Sequence, residues 1–189
     1  MTTATDRLKE LKTWYRLHMN GVVSQSMRNK GLAYKIIWGI SLPELTAYAQ
    51  QHGKDHELAQ LLWAEDIRES KILALMMMPP ETMTHEKTKT WAHEIPNQEI
   101  AEIAAMKLFQ HIKNAKEHAL EWITDKSDII TICGYQTLSR LFMKGITLEN
   151  NEFETFNTLV QKALNHNNLA VRHAAGNAIN RLTENNTRQ

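Results

Sequence analysis

The stretch Lys54–Met78, KDHELAQLLWAEDIRESKILALMMM, decides how the rest of the chain is read. Leu58, Leu61 and Leu62 recur at helical spacing, and Trp63 closes the apolar run. Asp66 follows at once with Glu69 three residues on, which reads as an N-cap and a variant capping box opening a second helix. That helix carries Ile67, Ile72, Leu75 and Met76 until Pro79-Pro80 stops it, and the methionine run at 76–78 reads as helix-end packing. Two short helices joined by a tight turn cannot bury their apolar faces alone. They need neighbours of the same kind.

The same grammar returns three times downstream. Thr82–Glu94 pairs with Asn97–Lys113, Ala115–Ile123 with Ser127–Lys144, and Glu149–Asn165 with Asn168–Glu184. The second helices begin near 67, 97, 127 and 168, spacings of about 30, 30 and 41 residues. That pitch predicts an all-α chain, an α-solenoid of HEAT or armadillo-like helix pairs curved around a concave face, forming one domain over 1–189 with a polar tail from about 185.

Upstream, residues 5–19 predict an amphipathic helix with Leu8, Leu11 and Tyr15 on one side, interrupted at Asn20-Gly21. A short helix is expected over Val22–Asn29, and LAYKIIW (32–38) fits loop, strand or helix. Ser41 caps a helix over Pro43–Gln51 that ends at Gly53. No segment sustains a two-residue alternation, so no sheet is expected.

Composition narrows the class. No apolar run approaches the roughly 20 residues of a membrane span, and no signal-type core opens the chain, so a cytoplasmic protein without membrane contact is expected. Cys133 is the single cysteine, which excludes an intrachain disulfide and a cysteine-rich metal site. Histidines lack ligand spacing, since His93-Glu94 runs into Ile95-Pro96 and His52 and His56 straddle Gly53. Neither metal nor cofactor is expected. Net charge is only +1, but residues 1–35 hold seven Lys/Arg against two acids. Such a segment fits one wall of an anion-binding groove or a solvated amphipathic helix.

WGISLPELTAYAQ…HELAQLLWAEDIRESKILAL (38–75) resembles the DNA alkylation repair family through its aromatic-Gly-aliphatic-x-x-Pro-x-Leu segment, Leu62-Trp63 and the Glu69 helix. VRHAAGNAINRL near the C-terminus is similar to that family's last repeat. The resemblance implies a HEAT-like-repeat glycosylase that excises positively charged N-alkylated purines from duplex DNA. It further implies two Trp, one Asp and one Arg on the concave surface. Their positions fall here on Gln98, Asn177 and Glu102 and, for the Arg, near Cys133, so three of the four groups are absent and the carboxylate is one methylene longer.

Candidate residues follow. Gln98 and Glu102, four apart, share a helix face, with Glu102 either a catalytic carboxylate or a solvated one. Cys133, Thr137, Arg140 and Lys144 form a polar stripe beside Ile130, Leu138, Leu141 and Phe142, with Arg140 and Lys144 either phosphate contacts or partners of the helix dipole. Cys133 reads as a small core residue. On the last helix Val171, Ala174, Ala175, Ala178, Ile179 and Leu182 face inward, while Arg172, His173, Asn177, Asn180 and Arg181 offer a polar surface to DNA or solvent. The expectation is a monomer that binds duplex DNA weakly, with catalysis weak or lost. The alternatives are a HEAT-like scaffold for a protein partner, and a glycosylase with a rearranged site using Glu102.

Overall fold

Residues 3–186 are described by the computed structural model. Several helices begin where a short polar side chain takes up a free amide of the first turn. Thr3 with Asp6 caps α1 (Ala4–His18), and Asn20 caps α2 (Gly21–Asn29). Ser41 with Glu44 caps α3 (Leu42–His52), whose Pro43 sits in the first turn, and Asp55 caps α4 (His56–Trp63). α5 (Arg68–Met77) follows, and a 3-10 turn over Pro80–Thr82 ends this first unit, Met1–Thr82. Within it α1 packs on α4, α4 on α5 and α3 on α5. Leu11 and Tyr15, Leu45 and Tyr48, Leu58 and Leu62, and the whole of 72–78 are buried, the methionine run at 76–78 included.

The second unit, Met83–Gln189, holds α6 (His85–His93), α7 (Gln98–Lys107), α8 (Ala115–Trp122), α9 (Asp128–Met143), α10 (Asn150–Leu164) and α11 (Leu169–Asn186). α9 is its axis, packing against α6, α7, α8 and α11, while α10 lies on α11. Gly134 permits the closest of these approaches. A Cβ there would stand 2.9 Å from the carbonyl oxygen of Ala119 and from the backbone nitrogen of Ile123. Among the described residues the only β-type pairing is one isolated parallel bridge, Ile36 with Ile67. The chain is all-α, and no helix among the described residues is long and apolar enough to cross a membrane.

Three local expectations are corrected. The capping box at Asp66 and Glu69 does not form. α5 starts at Arg68 after Ile67, which makes no side-chain cap bond, and Asp66 instead accepts the Lys35 amide at 3.0 Å. Glu69 is fully buried and accepts the amides of Trp38 (3.0 Å), Gly39 (3.0 Å) and Ile40 (3.3 Å), with Arg68 Nη1 at 3.1 Å. The 32–38 stretch forms no helix, and the carboxylates of Asp66 and Glu69 hold its Lys35 and Trp38 amides. Second, the helix expected over 82–94 begins only at His85, because Thr84 caps it and the double proline holds Pro80–Thr82 in a 3-10 turn. Third, the helix expected over 97–113 ends at Lys107. Leu108 leaves helical geometry, Phe109–His111 form a 3-10 turn, and Asn114 takes the left-handed conformation. At the C-terminus α11 runs to Asn186, and the rest of the polar tail expected from about 185 lies outside the described residues.

Candidate nucleic-acid interface

In the second unit the second helices of successive pairs pack in series, α7 on α9 and α9 on α11. All the candidate residues lie on these three helices or at their ends. On α7, Ile100, Ala101, Ile103, Ala104 and Ala105 are buried, which leaves Gln98 and Glu102 on the exposed arc. Four residues is just over one helical turn, so the two side chains meet. Gln98 Nε2 donates to Glu102 Oε1 at 2.8 Å.

The polar stripe expected on α9 is not one. Cys133 and Thr137 are fully buried, and Thr137 Oγ1 donates to the Cys133 carbonyl at 2.8 Å. Burial pushes the Cys133 thiol up to about 12, so it stays protonated and inert, as a small core residue should. With neighbours on four sides, α9 has no room for a continuous polar face. Its C-terminal end emerges, as does Asp128 at its start. Arg140 is half-buried with no partner among the described residues. Lys144 Nζ donates to the Gln110 carbonyl at 3.3 Å and lies 3.4 Å from His111 Nδ1, and burial lowers the pKa of its ammonium.

α11 buries Val171, Ala174, Ala175, Ala178 and Leu182, while Ile179 is half-buried. Its polar arc is partly spoken for. Arg172 does not stand in solvent: Nη1 donates to the carbonyls of His166 (2.5 Å) and Asn167 (3.0 Å), closing the turn after α10. Arg181 pairs with Glu184 at 2.7 Å. His173 and Asn177 are exposed with no partner among the described residues.

α7 and α11 contain no Trp, Tyr or Phe, and the two aromatics of α9, Tyr135 and Phe142, are buried. Hence these helices offer no exposed indole, phenol or phenyl face. A cavity of about 380 Å³ opens elsewhere in the unit, lined by Asp125, Lys126, Tyr135, Lys162 and His166 among others, and none of the candidate residues borders it. No group of three His, Cys, Asp or Glu among the described residues is arranged to hold a metal.

The sequence suggested a capping role for Glu69, and it gave no signal for Asp128. Asp128 accepts from Asn168 Nδ2 at 2.8 Å and so ties the start of α9 to the start of α11. The Trp38-Gly39-Ile40 string stood out only as part of the family resemblance.

A model of the DNA alkylation repair enzyme family matches residues 20–189. The chain belongs to that family. The matched range includes the Trp38–Leu45 segment, whose first three amides Glu69 holds. No curated protein matches the chain. A solved structure described as "a new family of proteins related to the HEAT-like repeat DNA glycosylases with affinity for branched DNA structures" aligns with a TM-score of 0.82 at 14% identity. The alignment spans 95% of this chain and 77% of that one. The fold is therefore that of the HEAT-like repeat family.

Proposed function

We propose that this family member binds duplex DNA, branched forms included, and excises alkylated bases slowly or not at all. The observation that carries the reading is the Gln98–Glu102 pair. The carboxylate best placed to stabilise a developing oxocarbenium sugar already accepts a bond from an amide. No exposed indole, phenol or phenyl ring on α7, α9 or α11 is available to stack on a cationic base. Such a face is worth about 0.5–2 kcal/mol, and its loss at two positions would slow excision by orders of magnitude if the losses add. The Cys133 position, near which the resemblance expects an Arg, is core.

Support for DNA binding comes from the family, from the branched-DNA affinity of the structural relative, and from Arg140, Lys144, His173 and Asn177 at the surface of the second unit. Arg172 and Arg181 are anchored by contacts of their own, so they contribute field more than contact. The decisive experiment combines fluorescence anisotropy on linear and branched duplexes with a single-turnover assay for excision of an N-alkylated purine. Salt-sensitive binding without appreciable excision is expected. Rapid excision abolished by Glu102→Gln would replace this reading with a rearranged-site glycosylase. Absence of any DNA affinity would leave the protein-interaction scaffold.

A further inference from the structure

The corner between α1 and α2 exposes three large apolar side chains within six residues. Leu17 is 78% exposed, Met19 55% and Val22 84%. Single exposed apolar residues are ordinary, but three within six residues concentrate apolar surface at one bend. The bend is also fixed. The Asn20 amide donates to the Trp38 carbonyl at 2.8 Å, Ser24 Oγ donates to the Ile37 carbonyl at 2.7 Å, and Asn20 Oδ1 accepts from Val23 at 3.1 Å. Gly39, at φ +75°, lies so close beneath it that a Cβ would stand 2.3 Å from the Asn20 carbonyl oxygen. The buried Glu69 carboxylate holds the same loop from the other side. The apolar side chains are thus presented on a braced backbone.

Charge identifies what this corner meets. No Asp or Glu occurs between Glu10 and Glu44, while Lys12, Arg16, Arg28, Lys30 and Lys35 lie in that span. Lys12 pairs with Glu65 at 2.5 Å, but Arg16, Arg28, Lys30 and Lys35 have no carboxylate partner among the described residues. Arg28 donates to the carbonyls of Tyr34 (2.9 Å) and Lys35 (3.3 Å), which gathers Arg28, Lys30 and Lys35 at the far end of α2, about 13 Å from the apolar corner. A second copy of the chain would bring the same positive charge against itself. A polyanion with exposed apolar faces suits both features.

We infer that the Leu17–Met19–Val22 corner is a wedge that stacks against base pairs left open at a DNA branch point, with Arg16 and the Arg28–Lys30–Lys35 cluster on the flanking phosphates. The inference rests on the DNA-binding reading above and names the form of DNA that this surface selects. Architectural proteins use Leu, Met and similar side chains as wedges, and entering an intact stack costs a few kcal/mol per step. At a branch that unstacking is already done, so the wedge favours branched over linear DNA. Leu17 and Met19 precede the residues that match the family model, so the family match does not carry this feature.

The test measures binding of the full chain to a synthetic four-way junction and to a linear duplex of the same sequence. A Leu17→Ser/Val22→Ser double variant should lose about tenfold or more in junction affinity with linear binding unchanged. Leu17→Met/Val22→Met should keep the preference, and circular dichroism melting should show both variants folded. Wild-type junction affinity in the serine variant, or equal loss on both DNAs, overturns the wedge and leaves the DNA-binding reading standing. A wild-type dimer in light scattering that the serine variant dissociates assigns the corner to a second copy and also overturns it. If the wild type binds neither DNA, the functional reading itself falls and takes the wedge with it.

Discussion

Gln98 and Glu102 stand one helical turn apart on α7, joined Nε2 to Oε1 at 2.8 Å on its solvent side. A carboxylate engaged by its own neighbour is poorly placed to stabilise a cationic sugar. Glu102→Gln should therefore change the rate of alkylpurine release by less than about twofold, against a loss of about a hundredfold or more for a group acting directly in the chemistry. Single-turnover kinetics on the two proteins decides between these.

Arg140 and Arg172 should separate binding from stability. Arg140 has no partner among the described residues, so Arg140→Ala should leave the melting temperature in place. It should reduce the slope of log K against log salt by about 0.9 if the guanidinium meets a phosphate. Arg172→Ala removes two bonds to the turn after α10 and should lower stability by about 1–3 kcal/mol. Titrations at several salt concentrations, paired with urea denaturation, check both.

Glu69→Gln should be among the most damaging single changes. The amide matches the carboxylate in size, but in either orientation its NH2 group faces a donor: the Trp38 amide at one oxygen position, or the Gly39 and Ile40 amides and the Arg68 guanidinium at the other. Removing one partner of a buried ionic cluster costs about 3–5 kcal/mol. Far-UV circular dichroism during urea denaturation measures it.

Histidine 118 makes the second unit sensitive to acid. Its ring is buried between His85 and Trp122, at centroid distances of 4.8 and 5.6 Å. Burial first, and the neighbouring His85 second, lower its pKa, with Glu117, Glu121 and Lys89 making smaller contributions. An unfolded histidine titrates near about 6.5. Below that pH the unfolded chain takes up a proton that the folded chain resists. Stability present above about 6.5 is therefore lost as pH falls through the folded value. The melting temperature should drop across that interval, and His118→Phe should flatten the drop.

Gly134→Ala should force α8 and α9 apart. The added methyl meets the Ala119 carbonyl and the Ile123 backbone at 2.9 Å, neither of which can swing aside. A loss of about 1–3 kcal/mol is expected in the same denaturation experiment.

The parts legible in the sequence are those set by local periodicity. The helices, the pairing of α4 with α5, α8 with α9 and α10 with α11, and the meeting of Gln98 with Glu102 were readable from helical periodicity and its interruptions, whereas α6, expected to pair with α7, packs on α9. The basic N-terminal segment was visible as composition. Glu69 was not, because a capping box is recognised three residues away while its actual partners lie thirty residues upstream. Cys133 and Thr137 were read as a stripe on the assumption that α9 has one wet face. Four neighbouring helices remove that face. Arg172 looked solvent-facing by its angle on the helix, but the side chain is long enough to turn back onto the preceding loop.

Repeat arrays are often treated as strings of interchangeable modules, each asking only apolar contact of the next. The buried Glu69 carboxylate breaks that independence in the first unit. Until α5 has left the ribosome, the loop over 38–40 lacks the acceptor for its amides, and the α1–α2 corner lacks its brace. The N-terminal third of the chain must therefore wait, unsettled, during synthesis. For the same reason a repeat cannot be deleted or grafted at this point without unlocking the one before it. Gene rearrangements that lengthen or shorten the array would be tolerated further along, where neighbouring helices are joined by packing and by exposed or half-buried polar contacts such as Lys89 with Glu121 and Asn168 with Asp128.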